Sequence, residues 1–134
     1  MDKKTRELFI KYGIPTVPEY DEFEKDDPEL RKDARDWHES AYKNEIFILK
    51  NKLHMSDSDM KLYFTSKEII DDDYYTRCDA LKGYSVKERY YTNGYHYGFE
   101  EDEYTLYENK NHLILDHRNY IEGMGTDHYT TVIR

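Results

Sequence analysis

Hydrophobic and polar positions along this chain follow a helical spacing in some stretches and a strand-like alternation in others. Leu8, Phe9 and Tyr12 cluster at i, i+1 and i+4, which predicts a short helix over residues 3–12 with Gly13 as its left-handed C-cap. Ile14 to Tyr20 contains Pro15 and Pro18 and reads as an extended connector. Asp27-Pro28 then offers an N-cap followed by proline at the first helical position. Leu30, Ala34, Trp37 and Ala41 follow at spacings of four, three and four, one apolar stripe, so a helix is expected over 28–43, helped by the i, i+4 pair Glu39 and Lys43. Ile46 to Leu49 fits either period. Its β-branched and aromatic content favours a strand over 45–52, with a turn at Met55–Asp59 and a second strand at Met60–Thr65 carrying Leu62 and Phe64 on one face.

The next helix is expected to start at Thr65 or Ser66. Ile70, Tyr74, Cys78 and Leu81 form its stripe, and Gly83 ends it. Asn93-Gly94, between two aromatic runs, predicts a type I′ hairpin turn, because that turn requires positive φ at both central residues. The resulting register opposes Tyr90 with Tyr97 and Glu88 with Phe99. It gathers Val86, Tyr90, Thr92, Tyr95, Tyr97 and Phe99 on one face and leaves Tyr91 with His96 on the other. Tyr104 to Leu115 reads as a further hairpin turning near Asn109-Lys110, with Tyr104, Leu106, Leu113 and Leu115 on a dry face. Residues 117–127 read as a loop containing Gly123 and Gly125, and Tyr129–Ile133 as a last strand. The expected fold is α+β: two or three helices packed on an antiparallel sheet of four to six strands, in a single domain of 134 residues.

Composition adds a surface to this frame. Hydrophobic residues make up 37%, but there are 15 Tyr, whose rings build a core edge while their hydroxyls stay wet. The net charge of −9 argues against direct contact with nucleic acid or an anionic membrane, both of which attract basic patches. No apolar run approaches the ~20 residues of a membrane span, and Met1 to Glu7 has no apolar segment behind its charges. One cysteine, Cys78, allows no internal disulfide and is expected to sit in the core, which suits a reducing, cytoplasmic setting.

Three groups could carry chemistry. The acidic runs are Asp21–Asp27, Asp71-Asp72-Asp73 and Glu100-Glu101-Asp102-Glu103. None keeps the spacing and glycine of a calcium loop. They read either as solvated loops or as a negative face resembling the charge line of a nucleic acid, ~1.7 Å per charge along its axis. Tyr91, Tyr95 and Tyr97 would anchor contacts beside them, as aromatic residues do in paratopes. His112, Asp116, His117, Asp127 and His128 lie close along the chain, yet no pair has a zinc-signature spacing, so no metal and no cofactor is expected. No phosphate-binding glycine loop or nucleophile motif is present, which disfavours an enzyme.

The sequence therefore points to a small cytoplasmic interaction protein, an inhibitor of a basic, nucleic-acid-handling protein partner. Its profile is that of phage-encoded inhibitors of bacterial defence nucleases. Asp71, Asp72, Asp73, Glu100, Glu101, Asp102 and Glu103 would supply the field, and Tyr91, Tyr95 and Tyr97 the anchors. Two alternatives remain open: a small-molecule or nucleotide pocket lined by His96, Tyr91 and Arg89, and a structural protein that oligomerises through its sheet edge.

Overall fold

A computed structural model of the chain describes residues 2–15, 28–66, 68–95 and 98–134. The acidic run from Asp21 to Asp27 and the residues His96 and Tyr97 lie outside them. Among the described residues the architecture is α+β, with four helices and one five-stranded antiparallel sheet. The chain divides into two compact units: Met1–Asn51 with Met55–Thr65, and Lys52–His54 with Ser66–Arg134.

The first unit is helical. Helix α1 spans Lys3–Tyr12, with Asp2 accepting from the Thr5 amide at its start and Gly13 at φ 71° closing its end, as the sequence implies. Helix α2 runs from Pro28 to Asn51 and helix α3 from Asp57 to Ser66. Both strands expected over 45–65 are therefore helical. In α2, Ile46, Ile48 and Leu49 are buried on one arc of the helix while Phe47, opposite that arc, is exposed, so helical geometry overrides β propensity. Ser56 caps α3 by accepting from the Asp59 amide. Trp37, expected on the buried stripe, is 74% exposed. The ring-bearing face of α2 lies one position along, at His38 and Tyr42. Tyr42 meets Phe9 and Phe64 at centroid distances of 5.9 Å each. Tyr12 is fully buried, and its hydroxyl donates to Asp57 Oδ1 over 2.7 Å.

The second unit holds the sheet and a short helix. Strand β1 is only Ile69–Ile70, and helix α4 covers Tyr74–Ala80. The single helix expected from Thr65 to Leu81 is thus divided. Asp73 caps α4 by accepting from the Thr76 amide, which starts the helix there and frees Ile69 and Ile70 to pair with β5. Cys78 consequently lies exposed instead of in a core. Strands β2 (Ser85–Tyr95), β3 (Phe99–Glu108), β4 (Leu113–Ile121) and β5 (Gly125–Val132) follow, giving the order β1-β5-β4-β3-β2.

The expected turn at Asn93-Gly94 does not form. β2 continues through it, and Asn93 pairs with Glu101, Gly94 with Glu100 and Tyr95 with Phe99. Neither Asn93 nor Gly94 adopts the positive φ a type I′ turn needs. Extending the ladder brings Glu100 to Glu103 into β3, paired on both sides, where the loop reading left them free. The shift also redistributes the aromatic residues. Tyr90 and Thr92 now share one face, while Tyr91, Tyr95 and Phe99 share the other. Likewise the loop expected over 117–127 is mostly strand, with only Glu122–Met124 between β4 and β5.

The β3–β4 hairpin keeps its expected dry face, with Leu106 opposite Leu115 and Leu113 opposite Glu108. Tyr104, Leu106, Leu113 and Leu115 are all buried. The opposite face is buried as well in the middle of these strands, at Thr105, Ile114 and Asp116, and across to Thr130 of β5.

Candidate interaction surface

Strand alternation sorts the sheet's polar residues into two networks. On the face that carries Leu106 and Leu115, the row towards the Tyr95–Phe99 end turns polar: Tyr104 opposite His117, then Asp102 opposite Asn119, then Glu100 opposite Ile121. His117 stacks flat on Tyr104, centroids 4.1 Å apart at 10°. Its Nε2 contacts Asp102 Oδ1 at 2.7 Å, and Asn119 Nδ2 donates to the same oxygen at 2.9 Å and to Glu100 Oε1 at 3.1 Å. Burial raises the Asp102 pKa, but the hydrogen bonds from His117 and Asn119 outweigh it and hold the carboxyl below its ordinary value. An ionised carboxylate only accepts, so His117 donates from Nε2. Beside this row lies an open depression of about 170 Å³, lined by Thr92, Asn93, Gly94, Tyr95, Glu100 and Asp102.

On the other face, Asp116 is buried. Thr130 Oγ1 donates to its Oδ1 at 2.7 Å, and His128 Nδ1 lies 3.3 Å from its Oδ2. Towards the Tyr95–Phe99 end the face opens. Glu101 accepts from the Tyr91 hydroxyl and meets Arg118 Nη1 at 3.3 Å, and Asn93 Nδ2 donates to the Tyr91 oxygen at 3.3 Å. The Tyr91 hydrogen bond, aided by Arg118 and opposed by partial burial, lowers the Glu101 pKa. Beyond them, Tyr95 sets its ring edge-on to Phe99 at 5.5 Å, and Phe99 lies 6.3 Å from Tyr120. Tyr95 is 84% exposed and Tyr91 45%.

Of the residues expected to meet a partner, this open face gathers Tyr91, Tyr95, Glu101 and Glu103. Glu100 and Asp102 point to the opposite face, because neighbours in a strand must alternate. Asp71, Asp72 and Asp73 are exposed at the start of α4, where Asp73 caps the helix and Asp71 accepts from the Asp73 amide. Tyr97 lies outside the described residues. In the alternative pocket, Arg89 and Tyr91 share a face with Glu101, and His96 lies outside the described residues. The suggested ligand set is divided as well: Asp116 and His128 take one face, His117 and Asp127 the other, and His112 sits exposed at the turn before β4. Among the described residues no group of three or more metal-binding side chains converges.

The reading of 117–127 as a loop concealed Arg118, Asn119 and Tyr120. The alternation Leu113, Leu115, His117, Asn119 against Ile114, Asp116, Arg118, Tyr120 was the signal that would have placed them. Comparison with protein-family models, curated proteins and solved structures finds no match to this chain.

Proposed function

We propose that this protein is a small acidic binding module that inhibits a basic, nucleic-acid-handling protein, and that it meets its partner with the open face formed by Tyr91, Tyr95, Glu101, Glu103, Phe99 and Tyr120. The observation that carries the reading is Tyr95: a ring 84% exposed, on the same face as a second exposed tyrosine, Tyr91, and the carboxylates of Glu101 and Glu103. Large rings with few rotatable bonds make contact area at low entropic cost, and anionic neighbours favour a cationic partner. The net charge of −9 supplies the long-range attraction. Because the four carboxylates of β3 alternate between faces, this attraction is a field of the whole chain and not a phosphate-like row. A reducing, cytoplasmic setting suits the exposed, unbridged thiol of Cys78. Among the described residues no helix is long and apolar enough to cross a membrane. The depression beside Tyr95, about 170 Å³, is smaller than the ~300–1,000 Å³ typical of ligand pockets.

The test uses the immobilised chain against a cell lysate, with elution by salt and, separately, by duplex DNA. The expected result is a captured nucleic-acid-handling protein that both eluents release and that the Tyr91→Ala/Tyr95→Ala variant fails to hold. Capture that resists salt, or that is unchanged in the variant, refutes the proposal, because it would depend neither on charge nor on these rings.

A further inference from the structure

We propose that the outer edge of β2 pairs antiparallel with the same edge of a second copy, joining two five-stranded sheets into one. The two edges of this sheet are unlike. One is β1, only 2 residues long. The other is β2, 11 residues long, and among the described residues no strand pairs with its outer side. A long edge leaves a row of amide and carbonyl groups ready for another strand, and proteins that stay monomeric blunt such edges with charges, proline or a bulge. Here those devices are confined to one end. The register shift falls between Val86 and Glu88, and the charges are Lys87, Glu88 and Arg89. From Tyr90 to Tyr95 the edge has no charge and no proline.

The occupant follows from self-complementarity. In a two-fold antiparallel pairing each residue faces its mirror position, and opposed residues share a face. Centring the pairing on Glu88 or Arg89 would set like charges against each other, which is unfavourable. Centring it on Tyr91 places Tyr91 against its own copy, Tyr90 against Thr92, Arg89 against Asn93 and Glu88 against Gly94. That arrangement uses the ladder from 88 to 94, stops short of the register shift and opposes no like charges. Each guanidinium of Arg89 also comes diagonal to the other copy's Tyr91 ring, a favourable cation–aromatic placement. Both copies would carry their Tyr95 faces on the same side of the joined sheet.

Each copy carries −9, so self-association strengthens as salt screens the repulsion. Binding to a basic partner responds to salt in the opposite sense, and the two proposals therefore fail separately. The experiment is sedimentation equilibrium of the full chain alone across a concentration series at low and high salt. The mass is expected to rise from 16.3 kDa towards twice that value, more readily at high salt. The Tyr91→Lys variant, which opposes two ammonium groups at the centre, is expected to stay at the monomer mass. In a Cys78→Ser background, a short bis-maleimide is expected to link Tyr91→Cys chains and not Lys110→Cys chains. A chain that remains at 16.3 kDa throughout overturns the proposal. So does a dimer that survives Tyr91→Lys, or one that Tyr91→Cys fails to link, since either would use another surface.

Discussion

Replacing Asp102 by alanine tests whether the polar row on the Leu106 face holds the sheet together. Asp102 Oδ1 accepts from His117 Nε2 at 2.7 Å and from Asn119 Nδ2 at 2.9 Å. Hydrogen bonds to a charged acceptor contribute about 1.5–3 kcal/mol each when isolated. The His117 and Asp102 side chains are 21% and 23% exposed, so water recovers part of what the variant loses. The two bonds also share one oxygen. A combined loss of about 2–3 kcal/mol follows at neutral pH. For a chain of this size about 4 °C accompanies each kcal/mol, so the unfolding midpoint should fall by roughly 8–12 °C. The pH dependence has a definite sign. The folded carboxyl titrates below its ordinary value of 3.8, so folding favours the ionised form. That contribution is complete above the unfolded pKa and disappears as pH falls through the folded one. Thermal melts followed by circular dichroism, from neutral pH down to about pH 2, should therefore show the gap between wild type and Asp102→Ala narrowing below about pH 5. Midpoints that coincide at neutral pH, or a gap that is constant with acid, would refute the reasoning.

Gly13→Ala should cost about 1–3 kcal/mol, because φ is +71° and the added Cβ would lie 2.6 Å from Thr65 Cγ2. Adding Thr65→Ala should recover the part due to the clash and not the part due to φ, as read by urea denaturation. Thr130→Val removes the hydroxyl that donates to buried Asp116 at 2.7 Å and should cost about 1–3 kcal/mol in the same assay, despite equal side-chain size.

Local signals in this sequence were reliable where one element could satisfy them alone. Gly13 caps α1 and Pro28 opens α2 because both depend only on the backbone beside them. The dry face of the β3–β4 hairpin was legible because a turn near Asn109-Lys110 brings Tyr104, Leu106, Leu113 and Leu115 to one face. The strand reading of 45–65 failed because a short apolar run does not reveal its period, and the buried set Ile46, Leu49 and Met60 is set by tertiary packing. Asn93-Gly94 misled for a related reason. A two-residue turn there satisfies itself, but a longer β2 pairs Glu100 to Glu103 on both sides and sets Tyr95 against Phe99. Of the open face proposed to meet a partner, Tyr91, Tyr95, Glu101 and Glu103 were singled out by residue type. Phe99, reassigned to a different strand partner, and Arg118 and Tyr120, hidden in a supposed loop, were not.

Asp116 and His117 are neighbours on β4, yet each joins a different histidine–aspartate contact on a different side of the sheet. If β4 slid by one position, Asp116 would arrive beside Tyr104 and His117 beside Glu103, and both contacts would be undone in one movement. The apolar residues cannot police that error unaided. Leu113, Ile114 and Leu115 are all buried and of similar size, so either alignment would satisfy them almost equally. The two histidine–aspartate couples thus proofread the strand, rejecting a misfit that greasy packing would tolerate.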